Sequence, residues 1–160
     1  MSGSPALSRR RATALGRELV AIHDDLRESV EDLRDTLAAG LTTVGPPAGA
    51  FATDLRRHCL TLCGHLTEHH TDEDTAVFPR LVSQFPDLAP VVDKLLTDHH
   101  VIERIVAQVE ATAATLDPAD PDAVRRAVSE LDGLAAIMGS HFGYEERTIA
   151  TALDQLTLDG

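Results

Sequence analysis

Glu68-His69-His70-Thr71-Asp72-Glu73-Asp74-Thr75-Ala76-Val77-Phe78-Pro79 is the stretch whose reading decides the fold of this chain. His69 and Glu73 stand four residues apart, so on a helix they share a face, one turn apart. The unit recurs as His99-x-x-x-Glu103 and His141-x-x-x-Glu145. His23 sits in a similar apolar setting without the partner, because position 27 is Arg. With 8 His and 10 Glu in 160 residues, even scattering gives about 0.5 such pairs, and three are present. Inward helix positions normally exclude Glu, so amphipathicity alone does not raise that number much.

Outward from this stretch, every unit lies on the apolar stripe of an amphipathic segment. Leu15, Leu19, Ile22, Leu26, Val30, Leu33 and Leu37 surround His23 and predict a first helix over about 7–39. Leu55, Leu62, Leu66, His69, Glu73, Val77 and Leu81 predict a second over about 49–84, which Pro79 should kink or divide near Glu73. Leu88, Val92, Leu95, His99, Ile102, Glu103, Val106 and Val109 predict a third, to about Leu116. Val124, Val128, Leu131, Leu134, Met138, His141, Glu145 and Ile149 predict a fourth, to about Leu156, with Asp120 as N-cap and Pro121 in the first turn. Gly45-Pro46-Pro47, 85–90 and 117–122 read as connections. Short connections between four such helices give an all-α, antiparallel up-down-up-down four-helix bundle. The expected organisation is a loose tail at 1–6, one bundle domain at 7–156 and frayed residues at 157–160. Counted from the helix starts, the four stripe histidines lie at different depths, so the helices must be staggered to bring them to one level.

Composition narrows the partners. Hydrophobic residues are 43% and aromatics 3%, so Ala, Leu and Val fill the core. A net charge of -12 repels nucleic acid and anionic membranes, and neither is expected as a partner. No apolar run approaches the roughly 20 residues that span a bilayer. Arg9-Arg10-Arg11 is followed by Arg17 and Glu18 rather than an uncharged apolar segment, so no signal peptide is expected. Cys59 and Cys63, one turn apart among leucines, read as free core thiols, which fits a reducing cytoplasm. Thirteen Arg to one Lys and abundant Ala fit a GC-rich bacterial genome and carry no functional weight.

A bundle interior is apolar, and an ionised Glu is costly there without a partner. His23, His69, Glu73, His99, Glu103, His141 and Glu145 spread that cost over all four helices, which points to shared cations. Imidazole and carboxylate without thiolate suit iron or manganese rather than structural zinc. Two bridging glutamates, an oxo or hydroxo bridge, four His and one terminal Glu fill all but one position of two octahedral ions. That leaves one position for a small molecule. His65 and His70 stand beside the ligand positions and read as hydrogen-bonding supports or surface residues, with an eighth ligand as the alternative for either; His58 and His100 read as surface residues. Asp74 and Glu146 face solvent or hydrogen-bond a ligating imidazole. Tyr144 carries two readings: a hydrogen-bond donor or redox group beside bound peroxide, or a packing residue at the bundle edge.

Taken together, these motifs resemble the hemerythrin-like, or HHE cation-binding, family over almost the whole chain. His23 with Leu26 is similar to its first-helix histidine, and Glu68-His69-His70 through Pro79 to its most diagnostic segment. Asp98-His99 with Ile102 and His141 with Glu145-Glu146 resemble the third and fourth motifs. The resemblance implies a four-helix bundle holding two non-haem irons. Ferritin-like bundles use Glu-x-x-His instead, and no Glu here has a His three residues later. The oxygen-carrying hemerythrins typically offer five histidines and two carboxylates. Here Glu103 stands where the third helix would carry its second histidine, and the fourth helix has His-x-x-x-Glu rather than His-x-x-x-x-Asp. An added anion should favour ferric iron. The resemblance therefore implies an oxidoreductase acting on hydrogen peroxide or nitric oxide, with an unidentified electron donor. The alternative is an O2, redox or iron sensor or store without turnover.

Overall fold

The structure, a computed structural model, describes the backbone of residues 5–42 and 49–156 and the side chains of 15–40 and 53–156. Helix α1 is Pro5–Thr42 and α2 is Gly49–Asp72. A π-helical turn, Glu73–Val77, joins α2 to α3, Phe78–Gln84. A short 3-10 turn at Pro86–Leu88 leads into α4, Ala89–Thr115, and α5 is Pro121–Gln155. The expected 117–122 connection is thus shorter, since Pro121 already opens α5. Helix α1 begins at Pro5, inside the expected tail; residues 1–4, the Gly45-Pro46-Pro47 loop and 157–160 lie outside the described residues. No strand occurs among the described residues, and no described helix is long and apolar enough to cross a membrane.

Four rods result, because α2, the π turn and α3 run as one. Helix α1 packs on α5, α5 on α4, α4 on α2 and α2 on α1, a closed ring of antiparallel neighbours. At the start of α5 the Asp120 carboxylate accepts from the Asp122 backbone N–H at 3.0 Å, satisfying one of the helix's free donors. Pro79 divides the second rod as its chemistry requires. It has no N–H to offer the carbonyl four residues back. The chain instead takes a wider turn immediately before it, closed by the Phe78 N–H on the Glu73 carbonyl. Inward positions then run Leu66, His70, Glu73, Phe78, Leu81, with a five-residue step across the π turn. Phe78 fills the place expected of Val77, which is only half-buried. On α1, Ile22 is 43% exposed, against its expected place in the stripe.

The core falls into two apolar clusters. One joins Leu26, Leu66, Ile102, Met138 and Phe142 to the long end of the bundle. The other joins Leu19, Phe78, Leu95, Ile149 and Leu153 at the opposite end. Between them, on every rod, lies a buried polar residue: His23, His70 and Glu73, His99, and His141 with Glu145. The level at which they meet follows from counting away from shared connections rather than from helix starts. His23 is 19 residues before the end of α1, and His69 is 20 after the start of α2. His99 is 16 before the end of α4, and His141 is 20 after the start of α5. Antiparallel neighbours therefore bring them level, and the unequal overhangs fall at the far end.

Helices α1 and α5 approach closely at Gly16. Its N–H donates to Asp154 Oδ1 at 2.9 Å. A Cβ there would meet that oxygen at 2.6 Å and the Ala150 carbonyl oxygen at 2.7 Å. Backbone cannot yield as a flexible side chain does, so Gly16→Val should destabilise the fold by about 1–3 kcal/mol in urea denaturation. Gly64→Val, where nothing lies within 4 Å, should lack this overpacking cost. Equal losses in the two variants would contradict the close approach.

Candidate metal centre

Two groups of side chains face each other across the polar layer. His23, His69, Glu73 and Glu145 form one, and His70, His99 and His141 the other; within each group the ligand atoms lie within 4.8 Å of one another. Every helical rod contributes. His69 and His70 are adjacent in sequence and about 100° apart around α2, so one rod serves both groups. Glu145 touches both as well. Its Oε2 is 3.1 Å from His141 Nε2 and its Oε1 is 3.7 Å from His23 Nε2.

Three of the imidazoles are oriented from outside by carboxylates. His23 Nδ1 donates to Glu146 Oε1 at 3.2 Å, His99 Nδ1 to Asp74 Oδ1 at 2.7 Å, and His141 Nδ1 to Asp98 Oδ2 at 3.2 Å. Arg27 holds Glu146 through two bonds of 3.0 Å, and Lys94 Nζ holds Asp98 at 3.0 Å. An ionised carboxylate only accepts, so the proton of each neutral ring sits on Nδ1 and Nε2 carries a bare lone pair. His99 Nε2 and His141 Nε2 then face each other at 3.1 Å with no proton between them. His23 Nε2 also meets His69 Nε2 at 3.1 Å, where the bare His23 nitrogen can accept from the His69 ring. Two nitrogens bound at right angles to one ion, each about 2.1 Å away, are separated by about 3 Å. The observed spacing is that of neighbouring ligands.

The carboxylates repeat the pattern. Glu73 and Glu145 are 3% and 0% exposed, yet all four of their oxygens lack a hydrogen-bond partner among protein atoms, as does His70 Nε2. Glu73 Oε1 lies 2.7 Å from His69 Nε2, but this approach does not have hydrogen-bond geometry. Burial, and then the neighbouring Glu145, push the Glu73 carboxyl far above the usual carboxylate range. Burial also lowers His23, His70 and His99, and takes His69 to about 4 with help from His23. Against the effect of its own burial, Glu145 is held down at about 2 by the neighbouring Glu73 and His141, so without a cation Glu73 carries the proton of the pair and the lowered rings are neutral. Five imidazoles and two carboxylates, without thiolate, are a donor set that fits divalent or trivalent transition-metal ions.

The expected residues are not all brought together. His23, His69, Glu73, His99, His141 and Glu145 meet in the centre. Glu103 does not, and its expected place among the ligands is corrected. Ile102 takes the inward position on α4, while the Glu103 side chain is 75% exposed with His100 at 3.9 Å. His70, expected in a supporting role, occupies the vacated place in the second group. The inward stripe of α2 reads equally well as 66, 69, 73 or 66, 70, 73, so spacing could not choose between the two. His65 is exposed on α2, and so are His58 and His100. Tyr144 is half-buried against the smaller apolar cluster, with the Lys94 ammonium 4.1 Å from its ring centroid. Asp98 was not foreseen as a partner of His141; its only signal was an acid next to a motif histidine.

A family model, the hemerythrin HHE cation binding domain, matches residues 14–153. The chain belongs to this hemerythrin family. Its members' domain binds metal ions, and the two buried groups lie within the matched span. No curated protein and no solved structure matches the chain.

Two outcomes test the centre. Glu73→Ala and His70→Ala should each lower bound metal per chain, whereas Glu103→Gln and His100→Ala should leave it unchanged, by elemental analysis. Metal-free protein should also lose stability as pH falls from 6.5 toward about 4, the ordinary and folded values for His69. The unfolded ring gains a proton in that window and the folded ring does not, so protons favour unfolding. Denaturation midpoints constant across the window would contradict the buried, neutral rings.

Proposed function

We propose that this hemerythrin-family chain holds a pair of non-haem iron ions, with an oxo or hydroxo bridge, and uses them to decompose hydrogen peroxide or nitric oxide. The carrying observation is the buried layer of five imidazoles and two carboxylates, backed from outside by Glu146, Asp74 and Asp98. Bound there, iron supplies one-electron redox changes and a Lewis-acidic position for a small oxidant. The protein's part is orientation, charge and exclusion of water. Carboxylates on Nδ1 make the imidazoles more basic, which favours the higher oxidation state. That bias toward ferric iron was expected from Glu103; it rests instead on the outer acids. Manganese suits the same donors.

A second reading has its own observation. With Glu103 outside, the direct ligands are five histidines and two carboxylates, the set that the resemblance assigns to oxygen carriers. O2 binding or sensing without turnover is therefore the alternative. The free thiols Cys59 and Cys63, buried in the core, support a reducing cytoplasm as the setting. Turnover that reduces its substrate needs an electron donor, which is unidentified.

Purified protein loaded anaerobically with ferrous iron separates the readings. About two irons per chain with sustained O2 release from hydrogen peroxide, or sustained consumption of nitric oxide, supports the enzyme. Two irons with a stable O2 adduct and no turnover of either substrate supports binding. Failure to retain iron contradicts both.

A further inference from the structure

One cavity bordering the centre is far larger than hydrogen peroxide, O2 or nitric oxide requires. It is a groove of about 270 Å³ between α1 and the α2–α3 rod, lined also by Leu153 and Leu156. A water's share of liquid volume is about 30 Å³, so the groove has room for a molecule of many heavy atoms. Its walls include Leu19, Ile22, Ala76 and Val77. Ile22 is one of only two large hydrophobic side chains exposed among the described residues, and it lies on this groove. The buried end is different in kind. His69 and Glu73 line it, and the Glu73 oxygens are the unpartnered ones.

The charges around the groove select against an anion. Glu18 and Asp72 both line it, with Arg80 as the single cation, and all three are exposed. A neutral ligand leaves these groups in water, whereas an anionic one would face two acids. A hydroxyl or hydroperoxyl end supplies the donor that an unpartnered Glu73 oxygen lacks. The other opening beside the centre is smaller, about 90 Å³, and mixes Leu66, Ile102 and Val106 with the polar His70, Thr71, Asp74 and Glu103.

We propose that the groove is a binding site for a neutral organic molecule with an apolar body and a hydroxyl or hydroperoxyl end, seated with that end against Glu73. Its consequence for chemistry rests on the proposed function: the end group reaches the metal centre, so organic hydroperoxides join the substrates. Their O–O bond is cleaved to an alcohol and water, with two protons from solvent and two electrons from the electron donor of that reading. Binding itself does not depend on that reading.

The test uses the full-length chain, as purified and after loading with diamagnetic zinc, with 1-octanol as the probe. Methyl NMR should show saturable shifts at Ile22, Val77 and Leu153. Ala76→Trp, at an exposed position on the groove wall, should weaken binding about tenfold or more by steric block, and Ile22→Ser should weaken it less. Leu60→Ser, at the other exposed hydrophobe, should leave it unchanged. Absence of saturable shifts, shifts confined to the distant Leu33–Leu37 end, or equal affinity in Ala76→Trp would overturn the proposal. Zinc uptake is read in the same samples. Its failure beside intact octanol binding would count against the metal reading alone.

Discussion

Lone pairs aimed at one another inside an apolar bundle are the constraint on which this structure depends. His99 and His141 each place their proton outward on a carboxylate and their bare nitrogen inward, 3.1 Å from the other. Glu73 and Glu145 add oxygens without donors. Packing alone does not stabilise such an arrangement, since every group in it has lost water and gained no hydrogen. A cation resolves all of these deficits together. The polar layer also cuts the core into two apolar clusters, so the helices pack above and below a level that metal must hold together.

The geometry of the second rod follows from the same demand. The two side-chain groups draw on every rod, yet the described part of α1 and α4 each supplies a single histidine. The second rod makes up the number with adjacent residues, His69 and His70, and then with Glu73 at the first position of the π turn. Pro79 is what forces that turn, and π turns commonly accompany functional sites. Thr71 and Thr75 assist on the outer face, where their hydroxyls donate to the Thr67 and Thr71 carbonyls at 2.9 and 2.7 Å. A helix-breaking residue and a ligand pair are thus parts of one local solution.

Much of this was legible in the sequence because helical periodicity is strict. The four rods and the inward placement of His23, His69, His99 and His141 follow from apolar spacing, and the division at Pro79 from proline's missing N–H. Glu103 shows where the spacing fails. Three and four residues after His99 are both helix-compatible, and only the packing of α4 decides that Ile102 turns inward. Spacing leaves the choice between His69 and His70 open for the same reason, and the structure brings both into the polar layer. Ile22 reads as core on its stripe but sits beside a groove that exists only once α1 meets α3. The outer acids are legible one by one, but their pairing crosses between helices, as in Asp98 with His141, and sequence order does not encode it.

The most direct measurement is an anomalous-scattering map of crystals grown with ferrous iron, recorded at the iron absorption edge. The account predicts two peaks, one within reach of His23, His69, Glu73 and Glu145, the other within reach of His70, His99 and His141. A single peak, a peak held by Glu103, or an interior with no metal would contradict it.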